Sequence, residues 1–202
     1  MAILNPTIEQ VRASIDEALQ TANASLRALN QKIWSDPETA YEEHRAHNEI
    51  CDFLEERGFS VTRHAFGLDT SFEAKSGSGG RLINFNAEYD ALPEIGHACG
   101  HNLITTSSMA AFLALSTLLG TPAEENGGGK AKLIDGGAYK GVDVSLMAHA
   151  GPRELFPGVV SDGCAGVLMN ARKEIHCEFT GVSAHAGGNP WDGVNALDHM
   201  DA

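Results

Sequence analysis

Cys99 and His101 are the two residues whose chemistry stands out in this 202-residue chain. They lie in the segment Gly96-His97-Ala98-Cys99-Gly100-His101-Asn102. On an extended loop, residues two apart point the same way, so a thiolate and an imidazole can face one point. That pair suits zinc and other soft or borderline divalent metals. Two ligands do not define a site, and a Cys-x-His on its own is most simply a loop sequence.

Further candidates follow along the chain. Glu124 and Glu125 are adjacent carboxylates in a Pro-Ala-Glu-Glu-Asn-Gly-Gly-Gly setting. One can bind metal while the other acts as general base on a bound water; the plain alternative is a solvated acidic turn. His149 ends an apolar segment, as a ligand or as a structural residue. Asp90 follows an apolar strand and can brace a ligand histidine from behind. A nucleophilic reading of Cys99, with a histidine as base, lacks any oxyanion or nucleophile-elbow signature, and His101 is too near in sequence to serve. The glycine run at 127–129 lacks the Lys-Ser/Thr and spacing of a phosphate loop.

The elements that must position these residues read as an alternation of helix and strand. Apolar residues at helical spacing (Ile8, Val11, Ile15, Leu19, Leu26, Leu29, Ile33) predict a helix over 7–35, ended by Asp36-Pro37. A second helix is predicted over 39–58 and a strand over 59–64. The turn-rich tract 76–80 predicts a hairpin between strands at 72–75 and 81–87. An apolar helix over 104–119, a short helix over 130–139 and a buried strand over 142–148 follow. This order predicts an α/β fold whose polar candidates lie just after strands. From Arg172 the pattern changes: an alternating strand to Phe179 leads to a helix over 190–198. Residues 1–171 are therefore assigned to one domain and 172–202 to the opening of another.

Composition sets the boundaries. With 14 basic and 27 acidic residues the formal charge is −13, which argues against nucleic-acid and anionic-membrane partners. No segment reads as a signal peptide or a membrane span. Four spaced cysteines without a CxxC pair fit free thiols in a reducing cytoplasm.

Taken in order, four motifs resemble those of the aminoacylase/carboxypeptidase-type metallopeptidases. They are Tyr89-Asp90-Ala91-Leu92-Pro93, the Cys99/His101 segment, Thr121-Pro122-Ala123-Glu124-Glu125, and Gly181-Val182-Ser183-Ala184-His185-Ala186-Gly187. The likeness is to the amidohydrolase branch, with variants similar to its β-alanyl-lysine dipeptidase-type group. It implies a three-layer α/β/α catalytic domain followed by the start of a small α+β lid that forms homodimers in full-length relatives. It implies two divalent ions, zinc or manganese, on Cys99, His101, Glu125 and His149. Glu124 would be the general base, with Asp90 and His185 also catalytic, and His185 would reach the substrate carbonyl from the lid. The substrate class is an N-acyl amino acid or small dipeptide.

Two departures from the family pattern are visible. Only Gly120 separates the 104–119 run from Thr121, so a buried strand near 120 is expected to be missing. The family's last histidine ligand follows the lid, whereas this chain ends at Ala202. Weak or no activity is the resulting expectation. The alternative to an enzyme is an inactive remnant that folds and dimerises.

Overall fold

The computed structural model describes residues 6–114, 117–152, 162–166, 169–173 and 175–199. The chain divides into two compact units, Met1–Leu155 and Phe156–Ala202, so the division falls earlier than residue 171.

The first unit opens with helix α1 (Ile8–Ser35). Thr7 caps it by accepting from the Gln10 amide, and the Gln10 side chain answers the Thr7 amide. Its inward stripe is Ala22, Leu26, Leu29 and Ile33. Helix α2 (His44–Glu55) starts later than residue 39. Its first turn is capped by the Glu38 carboxylate, which accepts from the Arg45 and Ala46 amides. An acceptor at that point satisfies orphan donors, and residues 39–43 remain non-helical.

Five strands form one mixed sheet in the order β1-β2-β4-β3-β5. They are β1 (Ser60–Arg63), β2 (Phe72–Lys75), β3 (Ile83–Ala87), β4 (Thr117–Gly120) and β5 (Val144–Leu146). Strand β2 runs antiparallel to both β1 and β4, while β3 runs parallel to β4 and β5. The hairpin between β2 and β3 is therefore absent. Glycine and serine at 76–80 mark a turn but do not choose a partner, and β4 takes the place between the two strands.

Strand β4 also corrects the expectation of a missing strand near 120. Helix α3 (His101–Ala114) ends before it, and β4 lies at the centre of the sheet. A strand buried on both faces carries no polar alternation, so Thr117-Leu118-Leu119 reads as a continuation of the apolar helix. Leu118 packs with α1, α2 and α3, while Leu119 packs with Leu133 of α4 (Gly129–Asp135). Helical layers thus cover both faces, giving the expected α/β/α arrangement. Gly120 is required by close approach: a Cβ there would lie 2.3 Å from the Phe72 ring and 2.8 Å from the Tyr89 hydroxyl.

Strand β5 is not buried. It lies at the sheet edge with all three residues exposed, Val144 at 40%. The second unit also departs from expectation. Its described residues contain no strand over 172–179, and the helix at 190–198 is replaced by two single 3₁₀ turns, Pro190–Asp192 and Ala196–His199. One bridge, Val182 to Val194, joins its motif to those turns. Trp191 is 77% and Leu197 67% exposed, so neither apolar side chain has a face to pack against within the described residues.

Candidate metal centre

The candidate site forms where β3, β4 and β5 end and α3 begins. Gly100 takes a left-handed turn (φ +84°), and His101 is the first residue of α3. The Cys99/His101 segment is therefore a turn into a helix, not an extended loop. His101 is wholly buried.

Asp90 holds His101 from behind. Nδ1 of His101 lies 2.8 Å from the Asp90 carbonyl and 3.0 Å from its Oδ1. Both are acceptors, so Nδ1 must carry the proton and Nε2 presents its lone pair to the site. The second Asp90 oxygen, Oδ2, accepts from the Glu125 amide at 2.8 Å. One carboxylate thus orients the imidazole and fixes the backbone of the Glu124-Glu125 turn.

Around Nε2 lie three carboxylates. Glu88 Oε2 is 3.4 Å away, Glu124 Oε2 3.6 Å and Glu125 Oε1 3.7 Å. The Cys99 sulfur lies 3.5 Å from Nε2 of His149. Two overlapping donor groups result, Cys99/His101/His149 and His101/Glu124/Glu125, each with its ligand atoms within 4.8 Å of one another. His185 lies in the second unit, where it is exposed and its Nδ1 accepts from the Gly187 amide within its own turn.

The electrostatics of the cluster favour positive charge. Burial alone would lower the His101 pKa, but the Asp90 hydrogen bond and the Asp90, Glu88 and Glu125 carboxylates outweigh it and raise the value. Burial, with the neighbouring Glu88 carboxylate, raises the Glu124 pKa. The Cys99 thiol is pushed up to about 12, first by burial and then by Glu125, Glu124 and Glu88. A thiol so placed is a poor free nucleophile at neutral pH, which counts against the thiol-hydrolase reading. A divalent cation would reverse this balance for every member of the cluster.

The donor set fits a divalent metal: imidazole, thiolate and carboxylate atoms gather in two overlapping groups, and the buried atoms Glu88 Oε2 and His101 Nε2 have no hydrogen-bond partner. A cavity of about 600 Å³ opens beside Cys99, lined among others by Asn30, Trp34, His97, Leu103 and Pro152. That is room for a small peptide-like ligand.

Two supporting residues escaped the sequence reading. Glu88 shares the outward parity of Asp90, two residues on, so the same strand-end signal was available for it. Glu43 had no such signal, since Tyr41-Glu42-Glu43 reads as a solvated stretch. In the fold it is wholly buried. It accepts from the Ala123 amide at 2.8 Å and from the Thr70 hydroxyl at 2.8 Å. Ala123 has a left-handed φ of 56° and directly precedes Glu124, so Glu43 anchors the turn that presents the carboxylates. Gly129 lets that turn close, because a Cβ there would meet the Pro122 carbonyl oxygen at 1.8 Å.

No family model matches the chain. Among curated proteins it is 40% identical to the Xaa-Arg dipeptidase of Mus musculus over 95% of this chain and 48% of that protein. It is 36% identical to the Homo sapiens Xaa-Arg dipeptidase, with the same coverage. It is 30% identical to a p-aminobenzoyl-glutamate hydrolase polypeptide of Escherichia coli, over 95% of this chain and 44% of that protein. The chain is homologous to these amide-bond hydrolases. It spans about half the length of the curated relatives it matches. The mouse match runs over 216 positions, more than the 202 residues present here, so it contains gaps on this side. Among solved structures, the fold is shared with a dinuclear metal binding peptidase of the M20 family from Bacillus subtilis. The TM-score is 0.56 at 24% identity, over 66% of this chain and 44% of that one. An aminobenzoyl-glutamate utilization protein from Klebsiella pneumoniae shares it with a TM-score of 0.54 at 20% identity, over 68% and 46%.

Proposed function

We propose that the first unit is the metal-binding part of a hydrolase that cleaves the amide bond of a dipeptide or N-acyl amino acid. The observation that carries this reading is the convergence of the His101 Nε2 lone pair and the Glu124 and Glu125 carboxylates on one point, with Cys99 and His149 alongside. Cys99, His101, Glu125 and His149 would hold two divalent ions, zinc or manganese. Such ions supply Lewis acidity, activating water and polarising the scissile carbonyl.

The remaining roles fall to the chain's own groups. Glu124 is the general base: it takes the proton of the attacking water and delivers it to the leaving amine. Asp90 keeps the His101 proton on Nδ1. His185 is assigned to the substrate carbonyl oxygen, reached through a lid that pairs two copies of the chain. Substrates ending in a basic residue come first to hand, because the mouse and human relatives are named for Xaa-Arg dipeptides. A net charge of −13 supports a cationic substrate over the anionic p-aminobenzoyl-glutamate.

Free thiols at all four cysteines support a cytoplasmic setting. No described helix is long and apolar enough to cross a membrane. The test is hydrolysis of Xaa-Arg dipeptides by the metal-loaded protein, with and without chelator. Chelator-sensitive release of arginine is expected; cleavage indifferent to chelators but abolished by thiol alkylation would contradict the reading.

A further inference from the structure

Resting on the metal reading above, we infer that Glu88 is itself a ligand of the metal centre. Glu88 directly follows β3 and is 2% exposed. Lys130 pairs with its Oε1, and its main-chain carbonyl accepts from the Thr105 hydroxyl. These contacts hold the residue at both ends. They leave Oε2 facing Nε2 of His101 at 3.4 Å with no hydrogen bond to it or to anything else.

Two features make that geometry informative. A buried carboxylate oxygen without a partner is costly, and an opposing lone pair makes it more so. In the neutral imidazole, whose proton Asp90 holds on Nδ1, Nε2 has no hydrogen to give Glu88. Lys130 satisfies one Glu88 oxygen and does not reach the other. A divalent cation between the two atoms would accept both lone pairs.

The second feature is a count of donors. The Cys99/His101/His149 and His101/Glu124/Glu125 groups share His101, yet one imidazole nitrogen binds one cation. With Glu124 kept as the general base, two ions therefore share only Cys99, His101, Glu125 and His149. Glu88, already aimed at the shared atom, supplies a fifth donor.

The experiment compares the full chain with Glu88→Gln, which keeps the volume and the acceptor for Lys130. Both are titrated with Co²⁺ and Mn²⁺ by calorimetry, with the cobalt–thiolate absorption marking occupancy beside Cys99 and thermal melts run with and without metal. The variant is expected to keep the thiolate band while one metal-binding step weakens about 10- to 100-fold. Its metal-induced rise in melting midpoint should shrink accordingly. Unchanged affinities with an unchanged metal-induced rise would overturn the assignment. Lys130→Gln serves as the structural control. If both variants lower only the metal-free midpoint, Glu88 is a packing residue and the proposal fails. A wild-type chain that takes up no metal would overturn the underlying reading instead, which separates the two failures.

Discussion

His101 and His185 sit in motifs of equal clarity in the sequence, yet the fold treats them in opposite ways. His101 has no exposed surface, its Nδ1 faces two oxygens of Asp90, and its helix packs against the core. His185 is exposed, and its described hydrogen bond comes from its own turn. Burial and partners have already decided the orientation and tautomer of the first. For the second, among the described residues only the Gly187 amide of its own turn holds the ring, and no buried partner does. A ligand for a metal must be held before the metal arrives, whereas a residue that acts on a substrate from a lid can take its position on closure.

The sharpest way to break this contrast is to remove each histidine. His101→Ala should abolish retention of metal through desalting, while His185→Ala should leave metal affinity unchanged within about twofold. Equal losses by elemental analysis would erase the distinction. Next in size is the brace. Asp90→Asn can no longer hold the imidazole as a carboxylate does, and should weaken metal binding about 10- to 100-fold by calorimetry. Unaltered affinity would mean that Asp90 orients nothing.

The anchoring of the carboxylate turn gives a stability test. Glu43→Ala leaves the buried Ala123 amide and Thr70 hydroxyl without their acceptor, at about 1–3 kcal/mol for each such group. The denaturant midpoint should fall clearly. Trp191→Ser in the exposed second unit should change stability by only about 0.5 kcal/mol or less. Comparable losses from the two substitutions would show that the second unit is held as tightly as the first.

The smallest effect concerns pH. His47 is buried beside Cys51 and stacked at 4.9 Å on His64, and burial lowers its pKa below 6.5. The unfolded chain then binds more protons than the folded one in the window from 6.5 downward to the lowered value. The His47 contribution to stability should fall as pH drops through that window and level off below it. His47→Gln should flatten this dependence, measured as denaturant midpoints across the range. An unchanged slope would assign the acid sensitivity elsewhere.

Much of this fold was legible because its helices carry strong periodicity. The stripe from Leu26 to Ile33 and the break at Asp36-Pro37 locate α1 to within a residue of its end. Strand β4 was illegible for a physical reason: four residues buried on both faces have no period to distinguish them from the end of a helix. Pairing was equally hidden, since β2 and β3 are neighbours in sequence but are separated in the sheet by β4. At the site, Cys99, His101, Glu124, Glu125 and His149 could be singled out by type and motif. Glu43 could not, because its value comes from an amide 80 residues away.

The central claim is that the electron-rich atoms around His101 Nε2 are arranged for divalent cations. Elemental analysis of the purified full chain after Zn²⁺ or Mn²⁺ loading and exhaustive dialysis tests it most directly. Two equivalents, removable by chelator and accompanied by a fall in melting temperature on removal, are expected. Metal-free protein with an unchanged melting temperature would contradict the account.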